Sequence, residues 1–139
     1  MIVLDTNVVS ELMKAEPEAS VVKWLDAQDA WSVMVSAITV AEVFYGIERL
    51  PDGKRKSDLS AVAVAMFGED FAGRILPFDG EAAICYAELV ATRERSGRGV
   101  SVADAQIAAI CRQYASGLAT RNIKDFECLG IELINPWDV

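Results

Sequence analysis

A three-layer α/β domain with a central, mainly parallel sheet of four to five strands is predicted by three observations on this chain. Short β-branched apolar runs alternate along it with longer stretches of helical periodicity. Strands that alternate with helices pair in parallel, and parallel sheets are covered by helices on both faces. The 139 residues are about one domain's worth of chain, with 53% apolar residues to fill a core. The expectation is a single domain over residues 1–139, since no repeat, low-complexity tract or Pro/Ser-rich linker interrupts it.

The elements follow in order. Ile2-Val3-Leu4 reads as a buried first strand and Trp31 to Val35 as the second. Ile75-Leu76 is the third, Leu118-Ala119 the fourth, and Ile131 to Ile134 the fifth. Helices are expected near residues 18–27, 39–49, 57–67, 81–95 and 104–114. In the fourth of these, Glu81, Glu88, Thr92 and Arg95 recur at spacings of 7, 4 and 3, which only a helix brings to one side. Lys54-Arg55-Lys56 and Gly97-Arg98-Gly99 read as loops.

Composition excludes several chemistries. The chain has no histidine, which removes Ser-His-Asp and Cys-His triads and imidazole ligands. Its net charge of -8 repels nucleic acid over the surface as a whole, so a generic basic-patch binder is excluded. Cys85, Cys111 and Cys128 are odd in number and form no C-x-x-C, which argues against a disulfide framework or a zinc cage. The opening Met1-Ile2-Val3-Leu4-Asp5 lacks the basic flank of a signal peptide, and no run approaches the roughly 18 apolar residues of a membrane span. A soluble cytoplasmic protein is expected. Carboxylate is what remains in quantity, and clustered carboxylates suit a hard cation such as Mg2+ or Mn2+.

Ligands of open α/β sheets sit outside the carboxyl ends of the strands, so acids at those ends matter most. Asp5 directly follows the first strand, and Glu42 lies near the start of the helix after the second. Asp104 opens the helix that leads to the fourth strand, and Asn122 and Asp125 follow that strand. Each also has an ordinary structural reading. Asp5 fits as the cap of a helix after it, Thr39 to Glu42 as a capping box, and Ser101 to Asp104 as its shorter-acid variant. Asp104 shares a helix face with Ile107, Ala108 and Cys111, so its charge leans toward the apolar side and needs a partner. Gly46 lies one turn from Glu42 and would allow close approach of a backbone or ligand. Asp79 reads as an ordinary N-cap, Lys54-Arg55-Lys56 as solvated rather than RNA-binding, and the three tryptophans as core or interface. Gly97-Arg98-Gly99 is too short for a phosphate-binding glycine motif.

Four segments in this order carry a resemblance. Asp5-Thr6-Asn7, Ser36 to Glu42, Ala103 to Ala109 and Ala119-Thr120-Arg121-Asn122 resemble a PIN-domain ribonuclease. The spacing and the ending Asn135-Pro136-Trp137 are similar to the VapC/FitB-type toxins of bacterial toxin–antitoxin operons, over essentially the whole chain. The resemblance implies a PIN-like fold and a cytoplasmic Mg2+- or Mn2+-dependent endoribonuclease that cuts RNA, usually as a homodimer, held inactive by a cognate antitoxin. Asp5, Glu42 and Asp104 occupy the family's acidic positions; the fourth, commonly Asp, falls on Asn122, with Asp125 nearby as a substitute. Thr6 and Thr120 match small hydroxyl positions of its pocket.

The chemistry is consistent without the family. Crowded carboxylates repel one another and favour a divalent cation, which polarises a phosphoryl oxygen and makes hydroxide available near neutral pH. Three readings compete with the nuclease. A receiver domain wants an acidic pair after the first strand, and a haloacid-dehalogenase-type phosphatase wants Asp-x-Asp there; Thr6-Asn7 suits neither. A catalytically weak interaction module takes its support from Asn122.

Overall fold

Five short strands, β1 (Ile2–Leu4), β2 (Val33–Ser36), β3 (Ile75–Leu76), β4 (Gly117–Ala119) and β5 (Leu133–Ile134), lie in one sheet in the order β3-β2-β1-β4-β5. Every neighbouring pair is parallel. The computed structural model describes residues 1–139. Helices α1 (Thr6–Leu12) and α2 (Ala19–Asp26) connect β1 to β2, and α3 (Ala37–Glu48) and α4 (Lys54–Ala65) connect β2 to β3. Helices α5 (Gly80–Arg95) and α6 (Val102–Gln113) lead back to β4, and the single turn α7 (Ile123–Phe126) precedes β5.

The sheet explains its own apolar runs. Ile2, Leu4, Val33, Val35 and Ala119 face one side, where Val8 and Val9 of α1, Val21 of α2, and Val43 and Ile47 of α3 meet them. Val3 and Leu118 face the other, against Leu89 of α5, Ile107, Ala108 and Cys111 of α6, and Phe126 of α7. Successive residues of a strand point to opposite faces, and here both faces are covered, so no polar alternation is possible. Each fully buried Leu, Ile or Val contributes roughly 1.5–3 kcal/mol. The result is three layers, as expected.

Several details differ from expectation. Helices α1 and α7 have 7 and 4 residues, too few to display a helical period in the sequence. Lys54-Arg55-Lys56 is not a loop but the first turn of α4. Gly53, at φ 154°, makes the entry, and cations at this helix end would oppose the helix dipole unaided. Lys54 pairs with Asp58 at 3.6 Å and Lys56 with Asp52 at 3.3 Å, which offsets that cost. β2 starts at Val33 because Ala30–Ser32 forms a 3-10 turn capped by Asp29. Trp31 on that turn is 79% exposed, with the Arg74 guanidinium over its ring, and so is not core. β5 is two residues shorter than expected. Gly46 has open space around it, so no close approach explains it. Asp79 caps α5 as expected, accepting from the Ala82 amide at 3.0 Å. No helix is long and apolar enough to cross a membrane.

Candidate active site

The strand order places β1 and β4 side by side while their continuations wind away in opposite directions, which opens a crevice beyond their carboxyl ends. Asp5 stands at the end of β1 and Thr120 at the end of β4. The Thr120 hydroxyl donates to Asp5 Oδ2 at 2.7 Å, and the Thr6 amide donates to Asp5 Oδ1 at 2.8 Å. Asp5 therefore caps α1 and faces the crevice at once; the two readings do not exclude each other.

Glu42 arrives from α3. The helix is capped by Ser36, whose Oγ accepts from the Thr39 amide at 3.1 Å, so the capping box expected between Thr39 and Glu42 does not form. A start three residues earlier carries Glu42 past the first turn, where no orphan amide needs it. Its Oε1 instead accepts from the Thr6 hydroxyl at 2.6 Å. Asp104 lies in the first turn of α6, with its amide bonded to Ser101 Oγ at 3.2 Å, and its side chain is half-buried.

Asp5, Glu42, Asp104 and Asn122 line one cavity of about 420 Å³, with Thr6, Asn7, Lys14, Arg121 and Trp137 beside them. Asp125 stays outside it, in an adjoining cavity of about 330 Å³ that also reaches Asp104. Asn122 is the position before α7 and makes no capping bond with its side chain. Thr120 Oγ1 also accepts from the Asn122 amide at 3.0 Å, which fixes the turn.

Burial first, and crowding after it, show in the titration of the acids. Burial, with Asp5 only 4% exposed, pushes its carboxyl up from 3.8 to about 6. The hydrogen bonds from Thr120 and Thr6 oppose that rise, and the charges of Asp104 and Glu42 add to it. Asp104 is also raised, first by burial and then by the charges of Asp125 and Glu42, against the hydrogen bond with Ser101.

A hard divalent cation fits this donor set. The ligands on offer are carboxylate and amide oxygens, and the chain has no imidazole. The nearby Cys111 thiol is buried and pushed up to about 12, so no thiolate competes. No three acidic or thiol groups converge into a closed cage. Mg2+ does not require one, because it keeps several waters and takes only one or two carboxylates directly.

Sequence reasoning missed three supporting residues. Asn7 Nδ2 lies 3.4 Å from both Asp5 Oδ2 and Thr120 Oγ1, while its Oδ1 accepts from the Arg121 amide at 3.3 Å. Glu11, 7% exposed, pairs with Lys14 at 2.9 Å and accepts from the Glu18 amide, and these bonds hold its carboxyl below the usual range. Arg121 lies 4.9 Å over the Trp137 ring. The available signal was the four-residue spacing of Asn7 and Glu11, on a helix too short to recognise.

Fold and crevice together match a known class: residues 2–129 match the PIN domain, and the chain belongs to that family. Within it the chain belongs with the VapC and FitB proteins. It is 44% identical over 138 residues to the VapC ribonuclease Y4jK of Sinorhizobium fredii, covering 99% of each chain. It is 40% identical over 137 residues to toxin FitB of Neisseria gonorrhoeae, again covering 99% of each. The solved FitAcB structure from Neisseria gonorrhoeae superposes with a TM-score of 0.89 at 37% identity, covering 100% of both chains. Membership sets aside the receiver and dehalogenase readings. The structure agrees, since Asn7 is spent on Asp5, Thr120 and the Arg121 amide.

Proposed function

We propose that this protein is a Mg2+- or Mn2+-dependent endoribonuclease, the toxin of a toxin–antitoxin pair, which works as a homodimer in the cytoplasm and is silenced by a cognate antitoxin. The observation that carries the reading is the carboxylate cluster at the end of β1, where Asp5 is lifted to about 6 by burial and by its acidic neighbours. The relatives named VapC ribonuclease and toxin FitB support the substrate class and the role.

In this reading Asp5 and Asp104 would hold the ion directly and Glu42 through water, with Asn122 offering a neutral oxygen at the edge of the cavity. A divalent cation bound there polarises a phosphoryl oxygen and lowers the pKa of water. Glu42 keeps Oε1 on Thr6, which leaves Oε2 to accept a hydrogen bond from the attacking water and aim it. Thr6 and Thr120 hold the Glu42 and Asp5 carboxylates in place, and Arg121 sets positive charge beside the cavity for the phosphate. With no histidine in the chain, hydrolysis by water is the simplest route. Antitoxin inhibition follows from the same charge: a cationic side chain placed among Asp5, Glu42 and Asp104 would quench the site, and the planar fork of arginine pairs best with carboxylates.

The test is cleavage of RNA by the purified protein with and without Mg2+ or Mn2+. Metal-dependent cleavage that chelator abolishes supports the reading. Its absence would favour the catalytically weak interaction module, for which the neutral Asn122 speaks.

A further inference from the structure

Arg93, Arg98 and Arg112 line a cavity of about 410 Å³, and no acidic side chain lines it with them. In a chain of net charge -8 with only eight arginines, three of them sharing one cavity requires a reason. Arg93 is the centre of the cluster. Ala82, Leu89 and Arg93 are the buried residues of α5, at spacings of 7 and 4, so Arg93 occupies a core-facing position of that helix. It is 4% exposed.

Its Nη2 donates to the backbone oxygen of Asp125 at 3.2 Å, which braces α7. Its Nε and Nη1 are buried and meet no acceptor in the chain. No carboxylate pairs with Arg93 or Arg112, and Arg98 has only Glu127 at 3.9 Å. A guanidinium cannot escape burial by losing its proton, as a carboxylate escapes by gaining one. A buried, permanent, half-bonded cation is a standing demand for an anion.

We propose that this cavity binds a phosphate of the RNA strand beside the one that is cut, with Arg98 and Arg112 as the charges that touch it and Arg93 as the buried, uncompensated cation behind them. The inference rests on the ribonuclease reading for the identity of the strand. Two observations favour the substrate over an acidic side chain of the antitoxin. Arg93 and Arg98 also line the adjoining cavity, and that cavity reaches Asp104 of the acidic cluster. Lys124 lines it too, so three cations, against the carboxylates of Asp104 and Asp125, border the way from the acidic pocket to the arginines. A strand with one phosphate at Asp5 and Asp104 can follow that path to the three arginines. Guanidinium and phosphate pair bidentately, so the geometry would fix the strand's register as well as hold it.

Cys128 is an exposed free thiol that lines the same cavity, and it provides a readout independent of cleavage. The experiment is alkylation of Cys128 by iodoacetamide in metal-free protein, followed peptide by peptide in the mass spectrometer, with a short single-stranded RNA or inorganic phosphate as probe. RNA is expected to slow the reaction at Cys128 by about fivefold or more and to leave Cys85 unchanged. Arg112→Gln and Arg98→Gln should remove the protection and weaken RNA binding. Each should flatten the dependence of log K on log salt by about 0.7, the value for one phosphate contact on a single strand. Arg55→Gln, which removes the same charge from α4, should change none of this.

Protection by inorganic phosphate but not by RNA would overturn the assignment to the substrate strand. Unchanged RNA binding with a weakened antitoxin complex would give the cavity to the partner instead. The same preparations are assayed for cleavage with Mg2+. Cleavage without protection of Cys128 sinks the cavity proposal alone, whereas neither cleavage nor protection sinks the ribonuclease reading with it.

Discussion

The acidic pocket and the arginine cavity are both clusters of like charge, and they answer the same electrostatic problem differently. In the pocket burial, and after it the charge of neighbouring acids, makes the carboxyls hold protons more tightly, so Asp5 rises to about 6 and Asp104 rises as well. In the cavity no such relief exists for a guanidinium, and Arg93 is buried with two donors unpaired. The pocket's demand for a cation therefore varies with pH, while the cavity's demand for an anion does not. Residues whose charge the fold leaves uncompensated mark the places where something from outside completes the structure.

The largest break in this comparison comes from removing acids. Asp5→Asn and Asp104→Asn should each lower RNA cleavage by more than about 100-fold, since even outer partners of a metal site cost 10–100-fold. The fold should persist, because relief of repulsion offsets the lost hydrogen bonds; circular dichroism and single-turnover cleavage check both halves. Wild-type cleavage by either variant, with contamination excluded, would refute the site assignment.

The hydroxyls come next. Thr6→Val frees Glu42, and Thr120→Val removes a bond that lowers the Asp5 pKa, so each should cost about 10–100-fold in cleavage. The two should differ in their pH profiles. Thr120→Val leaves Asp5 higher still, so its acidic limb should shift to higher pH, whereas Thr6→Val should leave that limb in place. Equal shifts in both would mean that Asp5 does not set the limb.

A smaller effect concerns stability without metal. The folded value of Asp5 near 6 lies above its unfolded value near 4, so the folded state binds the proton more tightly. Stability is then full below about pH 4 and is lost as pH rises through about 6, by up to about 3 kcal/mol from this group. Asp5→Asn should remove that decline and raise the melting temperature of metal-free protein at pH 7.5. Added Mg2+ should stabilise the wild type more at pH 7.5 than at pH 5.5. Thermal melts at both pH values, with chelator and with metal, decide it.

How much of this was legible depended on length. Ile2–Leu4 and Ile75–Leu76 were readable to the residue because a buried parallel strand is an uninterrupted apolar run. The position of Asp5 was readable because it follows such a strand, and those of Glu42 and Asp104 because they lie early in long helices with a clear period. Helices of 4 and 7 residues leave no periodic trace, so the faces presented by Asn7, Glu11 and Asp125 could not be read. The true cap of α3, Ser36, lay inside the expected approach to the helix, and Lys54-Arg55-Lys56 looked like a loop because its charges disguised a helix start. Arg93 carried a legible signal, a cation seven-plus-four residues along the face of Ala82 and Leu89, whose meaning only its unpaired donors revealed.

The finest distinction lies within the segment after β4, where Asn122 and Asp125 compete to serve the metal. Asn122 lines the acidic pocket with its amide free of any capping role, and Asp125 opens on the neighbouring cavity. A neutral amide oxygen can ligate Mg2+ but lacks the charge that offsets the loss of the ion's waters. Asn122→Asp should therefore lower the metal concentration for half-maximal cleavage by roughly 5- to 10-fold, the effect of about 1 kcal/mol of added Coulomb attraction. Maximal rate should change little if the residue only helps to hold the ion. Asp125→Asn should leave the metal curve nearly unmoved, and because the Asp125 charge helps to raise Asp104, it should extend activity slightly toward lower pH. A large loss of cleavage in Asp125→Asn would reverse the assignment and make Asn122 the bystander. Titration of Mg2+ and Mn2+ against the three proteins separates these outcomes, and identical curves throughout would remove any fourth ligand from this segment.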